Sequence, residues 1–295
     1  MAFFQSLLQK PVSRRGFLKK SLWVAGGLGL YAGEIERHWI EIAERDVWLS
    51  NLPSAFEGYR IVQLSDIHMN EYTEPFFLRH AVEQINRLRP DAVFLTGDYI
   101  SSGLSSHKYA LRAGWRCAEV LKELSCRSVY AVLGNHDVAV DGNEVAKALE
   151  SSGITVLRNS YLPLARGSAR LWLAGLDDPV VGWPSPERAI PQSIRGIENE
   201  PVILLCHAPD YVDTLLRHPV GKTISLVLSG HTHGGQVRIP FVPPVGLPAL
   251  GQKYIQGWFR FGAMQLYVNR GIGTVGVPFR FNCPPEITLL RLRAS

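Results

Sequence analysis

The 295-residue chain is predicted to fold as an α/β protein with two mixed sheets flanked by helices. Apolar, β-like runs alternate with amphipathic helical patterns from Tyr59 onward, which indicates βαβ units. After Ile154 the predicted strands follow one another more closely, as a second sheet requires. Every polar cluster of chemical interest lies at the C-terminal end of a predicted strand, where α/β sheets present their ligands. With 46% hydrophobic and 19% charged residues the chain is too apolar for disorder, and collagen-like, coiled-coil and low-complexity classes are excluded. Neither an internal repeat nor a second domain boundary within the body is visible.

The first 33 residues read as an address. Lys10, Arg14, Arg15, Lys19 and Lys20 carry the whole formal charge of +5, so residues 21–295 balance to zero. The run Ser13-Arg14-Arg15-Gly16-Phe17-Leu18-Lys19 precedes an uncharged, Gly-rich stretch from Leu22 to Gly33. A cationic region followed by a short apolar one resembles a twin-arginine export signal, and the resemblance implies recognition by that machinery and an extracytoplasmic, periplasmic location. About a dozen helical residues cover only ~18 Å of a ~30 Å hydrocarbon core. Residues 1–33 are therefore expected to be a signal or an N-terminal membrane anchor that brings the protein to the membrane. Residues 34–58 are expected to be a lead-in, and 59–295 the working domain.

Within that domain, strands are predicted at 60–65, 92–96 and 128–133. Helices are expected at 75–88, stopped by Pro90, at 107–124 and at 144–151. The second helix should turn Leu111, Trp115, Ala118, Val120 and Leu121 to the core. Strands follow at 162–164, 170–174, 202–206, 224–229, 258–261, 265–269 and 286–292. Pro240, Pro243, Pro244 and Pro248 mark an irregular loop between the fourth and fifth of these. Cys117, Cys126, Cys206 and Cys283 show no CxxC spacing and read as small buried hydrophobes.

Five of the nine histidines fall in the strand-end clusters, which are Asp66-Ile67-His68, Gly97-Asp98, Gly134-Asn135-His136-Asp137, Cys206-His207 and Gly230-His231-Thr232-His233-Gly234-Gly235. In extended backbone, residues i and i+2 share a face, so Asp66 with His68 and His231 with His233 can act as pairs. Each cluster alone is common in turns, and it is their joint order that carries information. Mixed carboxylate, imidazole and amide donors suit Mn, Fe or Zn.

That order resembles the calcineurin-like metallophosphoesterase superfamily over residues 59–292, and is similar to its twin-arginine-exported bacterial branch in Gly271-Ile272-Gly273 and Pro284-Pro285-Glu286-Ile287. The resemblance implies a four-layer αββα sandwich and two divalent metal ions. Asp66, His68 and His233 would hold one, Asn135, His207 and His231 the other, and Asp98 would bridge them. His136 would stand outside the ligands as general acid or as stabiliser of a phosphate oxygen, oriented by Asp137. At the pocket rim, Met69-Asn70 stand where many members have a small residue.

Two such metals hold a hydroxide at neutral pH and support in-line displacement at a phosphoester, so no protein nucleophile is needed. The chain has neither a Gly-x-Ser-x-Gly elbow nor a Cys-x5-Arg run. The function this implies is a phosphodiesterase or phosphatase of the cell envelope. Two alternatives are a membrane-associated UDP-diacylglucosamine pyrophosphatase, the lipid A precursor activity of some members, and a non-catalytic scaffold. A neutral body argues against nucleic acid as a partner. Trp258, Phe259 and Phe261, with Phe241, Val242 and Leu247, read either as a core strand pair and loop or as an apolar wall for a lipid-linked substrate. Arg270 reads as a phosphate contact or as an ordinary surface arginine.

Overall fold

A computed structural model describes residues 13–69, 72–103, 106–197 and 199–295; Lys10 and Asn70 lie outside them. The first sheet contains β1 (Glu41–Leu49), β2 (Arg60–Leu64), β3 (Ala92–Leu95), β4 (Val129–Ala131), β5 (Thr155–Val156) and the last strand, β12 (Glu286–Ala294). The second contains β6 (Ser160–Arg166), β7 (Ala169–Gly175), β8 (Val202–Leu205), β9 (Ile224–Ser229), β10 (Gly257–Phe261) and β11 (Met264–Val268). Spatial orders are β1-β12-β2-β3-β4-β5 and β10-β11-β9-β8-β7-β6, and both sheets mix parallel and antiparallel pairs.

Three apolar clusters set the layers. Phe56, Phe94, Leu171, Leu205, Leu228 and Leu290 fill the space between the sheets. On the far side of the first sheet, Leu78, Ile85, Cys117, Leu121 and Leu149 bury the faces of α2 (Pro75–Leu88), α3 (His107–Leu121) and α4 (Asn135–Ser151). Beyond the second sheet, Leu204 and Leu266 pack with Ile190, Val212 and Leu215, from segments that include the short helices α5 (Pro186–Ala189) and α6 (Val212–Arg217). The layers are therefore helix, sheet, sheet and a thin helical cover, as predicted.

Three differences from expectation have physical causes. Ala118, Val120 and Leu121 of α3 are buried as expected, but its face also includes Ala110, Ala113, Gly114 and Cys117 while Trp115 is exposed, because small residues let the helix sit close to its neighbours. The last helix of the first sheet's cover begins at Asn135 rather than 144, with a break at Asp141 (φ −169°), so its first turn belongs to the chemical cluster. The lead-in expected over 34–58 contains β1, parallel to β12 from Glu41↔Glu286 to Leu49↔Ala294. Four charges in its nine residues hide the alternation, as on many edge strands, and Arg45 stands between the buried Ala43 and Val47.

The helix α1 (Arg14–Leu30), capped by Ser13 Oγ accepting from Gly16 N at 3.1 Å, buries none of its residues. Among the described residues no helix is long and apolar enough to cross a membrane. The following turns dock on the body: Ala32 O accepts from Arg280 N at 3.0 Å, and the buried Glu36 accepts from Cys283 N at 2.6 Å. Cys117, Cys206 and Cys283 are buried free thiols and Cys126 is half-buried.

Candidate metal centre

The five clusters meet at one end of the sheets. Asp66 and His68 follow β2, Asp98 follows β3, Asn135 to Asp137 open α4, His207 follows β8, and His231 and His233 follow β9. The pairing of Asp66 with His68, and of His231 with His233, does not come from extended backbone. Asp66 (φ 51°), His68 (51°), Asp98 (58°), His231 (74°) and His233 (51°) all take left-handed conformations just past their strands. Such strain persists only where surroundings over-determine it. Here the chain after β2 is fastened to the chain after β3: Asp66 N donates to Gly97 O at 2.9 Å, and Ile67 N and His68 N donate to Asp98 O at 2.7 and 3.1 Å. Gly97 itself is required, since at φ +99° a Cβ would stand 2.7 Å from both Gly134 N and His207 Nδ1.

Donor atoms converge as two groups. Asp66, His68 and His233 form one, with ligand atoms within 4.8 Å of one another, and Asp98, His207 and His231 form the other. A single oxygen, Asp98 Oδ2, lies 3.6 Å from His68 Nε2 and 3.1 Å from His207 Nε2, facing both. His233 Nε2 stands 3.0 Å from His68 Nε2 and 3.6 Å from Asp66 Oδ1.

Outward contacts fix the imidazoles. His207 Nδ1 donates to Thr96 O and His231 Nε2 to Ala249 O, both at 2.7 Å, which leaves His207 Nε2 and His231 Nδ1 free of protons when the rings are neutral. His68 Nδ1 is paired with Ser101 Oγ at 2.8 Å. Buried polar atoms normally find partners, yet among the described residues Asn135 Oδ1 and His233 Nδ1 have no hydrogen bond. Burial lowers the pKa of His68 to about 3 and of His231 to about 4, and takes His233 well below its usual range, so these rings are neutral donors. Burial also opposes charge on His207, but the Asp98 carboxylate overcomes it and raises the ring to about 10. Burial lifts Asp66 to about 6. Buried carboxylates, neutral imidazoles and an orphaned amide oxygen fit divalent cations of the Mn, Fe or Zn class.

His136 sits at the edge, its ring 4.9 Å edge-on from that of His68, and it also forms a possible ligand group with His68 and Asp98. Its orienting partner differs from expectation. Asp137 is fully buried and its oxygens accept from the amides of Asp98, Tyr99, Ile100 and Gly134 at 2.8 to 3.2 Å, so it clamps two loops. The ring of His136 is held instead by Ser102, whose N and Oγ each lie 2.8 Å from Nδ1. Sequence reasoning missed Ser102, because only the fold brings residue 102 to residue 136.

It also missed Arg280, which is fully buried, has no ion pair with a carboxylate among the described residues and donates to the carbonyls of Arg270, Gly271, Gly273 and Cys283. That loop supports Asp66 from behind, with Gly273 N donating to Asp66 O at 2.7 Å. Arg270 neither reaches for phosphate nor lies free at the surface: Nε and Nη2 pair with Glu286 at 2.5 Å and Glu41 at 3.0 Å. Trp258, Phe259 and Phe261 pack on Tyr267 and Tyr254 as a strand pair, away from the metal groups. Of the expected wall residues in the Pro-rich loop only Leu247 reaches the site, and Phe241 and Val242 are exposed outside it. Val245, Leu247, Pro248, Val275 and Val277 line a cavity of about 320 Å³ that opens on Asp98, Asn135, His136, His231 and His233.

Residues 59–235, which supply every one of these donors, match the model of the calcineurin-like phosphoesterases. The chain belongs to that family. Family members use two divalent metals, and the two donor groups sharing Asp98 accommodate that number. Among curated calcineurin-like relatives, the metallophosphoesterase YkuE of Bacillus subtilis is 36% identical over 97% of this chain and 99% of its own length. The phosphodiesterase YaeI of Escherichia coli is 30% identical over 95% and 99%. The UDP-2,3-diacylglucosamine pyrophosphatase LpxG of Chlamydia trachomatis is 28% identical over 89% and 92%.

Proposed function

We propose that this metal-dependent phosphoester hydrolase holds one cation through Asp66, His68 and His233 and a second through Asn135, His207 and His231, with Asp98 shared. The observation that carries the assignment is Asp98 Oδ2, one oxygen facing both imidazole groups. When bound, the cations supply Lewis acidity at a phosphoryl oxygen and make water a competent nucleophile. The chain supplies a positioned hydrogen-bond donor. A backbone amide can only donate, so Ser102 N requires His136 Nδ1 to accept, and the neutral ring then carries its proton on Nε2. From there it donates a hydrogen bond to a phosphoryl or leaving oxygen and stabilises the charge that develops on it, while Ser102 fixes the ring. Asp137 acts through the backbone of Asp98 and Gly134 rather than on substrate.

Asp98→Ala is expected to lose both bound metal and metal-dependent hydrolysis of bis(p-nitrophenyl) phosphate while its circular dichroism stays native. A fully active Asp98→Ala would overturn the assignment. His136→Ala should keep its metal and lose ~10²- to 10⁴-fold in kcat.

The proposed location is the cell envelope, reached by the twin-arginine route, on the strength of Ser13 to Lys19 and the exposed α1. Fractionation of cells carrying Arg14→Lys with Arg15→Lys tests it, and unchanged export would reject that route. A second reading is favoured by the apolar cavity wall and the similarity to LpxG: hydrolysis of a nucleotide-linked lipid at the membrane. Absence of UMP release from UDP-diacylglucosamine would reject it.

A further inference from the structure

A second cavity lies beside the substrate cavity and has no part in the chemistry described above. It measures about 740 Å³ and is lined by Gly33 and Arg37 after α1, by Tyr72 and Glu74 before α2, by Tyr109, Arg112 and Arg116 on α3, and by Phe279. One strap separates the two spaces: Val275 to Val277 face the metal side, and Pro278 and Phe279 face this one.

Its charges are unevenly matched. Arg37 is neutralised by Glu74, with Nη2 to Oε1 at 2.9 Å. Arg112 and Arg116 are one helical turn apart, face the same space and have no hydrogen bond or ion pair among the described residues. Glu34, exposed at the mouth, is the other carboxylate of the lining. Two unpaired guanidiniums beside Tyr109 and Phe279 match a phosphate attached to an apolar body.

The position of the cavity narrows the source of that phosphate. Only Tyr31 and Ala32 separate Leu30, the end of α1, from Gly33 in the cavity wall, a span of at most ~10 Å. The polar layer on each side of a bilayer's hydrocarbon core is about 5–8 Å thick. A helix that buries nothing against the body and exposes Leu22, Trp23, Val24, Leu28 and Leu30 has lipid as its natural solvent. With α1 in a membrane, the cavity falls at headgroup depth.

We propose that this cavity binds the phosphate headgroup of an anionic glycerophospholipid through Arg112 and Arg116, seating the catalytic domain on the membrane. The proposal rests on membrane contact through α1, and the test separates the two. Full-length protein is sedimented with vesicles of phosphatidylcholine alone and of phosphatidylcholine with 30% phosphatidylglycerol. Each basic group near an anionic surface is worth about fivefold in binding. Arg112→Ala with Arg116→Ala should therefore lose about 25-fold in affinity for the anionic vesicles, keeping its binding to neutral vesicles and its hydrolysis of a soluble aryl phosphodiester. Glu34→Gln should shift the preference the opposite way. An anionic preference unchanged in the double variant would overturn the site alone. Failure of the wild type to bind either vesicle would overturn membrane contact and the site with it. Competition by millimolar glycerol 1-phosphate, with no vesicle preference, would assign the arginines to a free phosphate ester and overturn the lipid.

Discussion

Among single residues, His207 makes the sharpest prediction. Its ring is held near pKa 10 by Asp98, whereas His68, His231 and His233 are already neutral and Asp66, near 6, is ionised at pH 8. Loading metal at pH 8 must therefore displace the proton of His207, on top of any proton that water loses on binding the cations. Titration calorimetry in two buffers of different ionisation enthalpy should show this release, and His207→Asn should lower it by about one proton. A second prediction concerns Asp137. Asn there presents an amide NH₂ to backbone N–H groups and leaves buried donors unpaired, so Asp137→Asn should cost about 1–3 kcal/mol in urea unfolding. A lost rate at unchanged stability would instead return Asp137 to the chemistry. The donor residues were legible because metal chemistry restricts which side chains can stand at strand ends. Their left-handed backbone and the partners of each ring were not, since Thr96 and Ala249 act through carbonyls that every residue possesses. Arg280 was illegible for the same reason.

Elements with a clean period were read well, and α2 runs from Pro75 to Leu88 as the sequence implied. Hydrophobic spacing failed where an element answers to something other than a core. The charges of β1 suit an edge, and the first turn of α4 serves the metal groups before it serves packing. The turns after α1 are the least expected part. Glu36 accepts from Cys283 N, and Cys283 Sγ contacts His233 O at 3.2 Å, so a segment outside the family-matched region backs a donor residue. Glu36→Ala leaves a buried amide unpaired. It should lower the melting temperature and weaken metal binding measured by competition with a chelator, and normal metal affinity would show that the contact is only structural.

For the molecule as a whole, cations that bind only the folded state add about 2.7 kcal/mol at a hundred times their dissociation constant. Two such sites double that, and at about 2–4 °C per kcal/mol for a chain somewhat shorter than this one chelation should lower the melting point by about 10–20 °C without unfolding the protein, because the three apolar clusters do not involve the metals. Unfolding on chelation at room temperature would contradict this. The layered architecture was legible from strand-helix alternation; the placement of β12 between β1 and β2 was not, since pairing across the whole chain leaves no local signal.

That placement governs the order of events at the ribosome. The neighbour of β1 in the sheet is β12, whose register begins about 245 residues later, at Glu286 opposite Glu41. At ~5–20 residues per second, β1 waits roughly 12–50 s for its partner. Throughout that interval the turns around Glu36 also lack Cys283 and Arg280. A chain that lacks β12 can neither close its first sheet nor seat the segment behind α1, so the posture of the N-terminus reports whether β12 has been made.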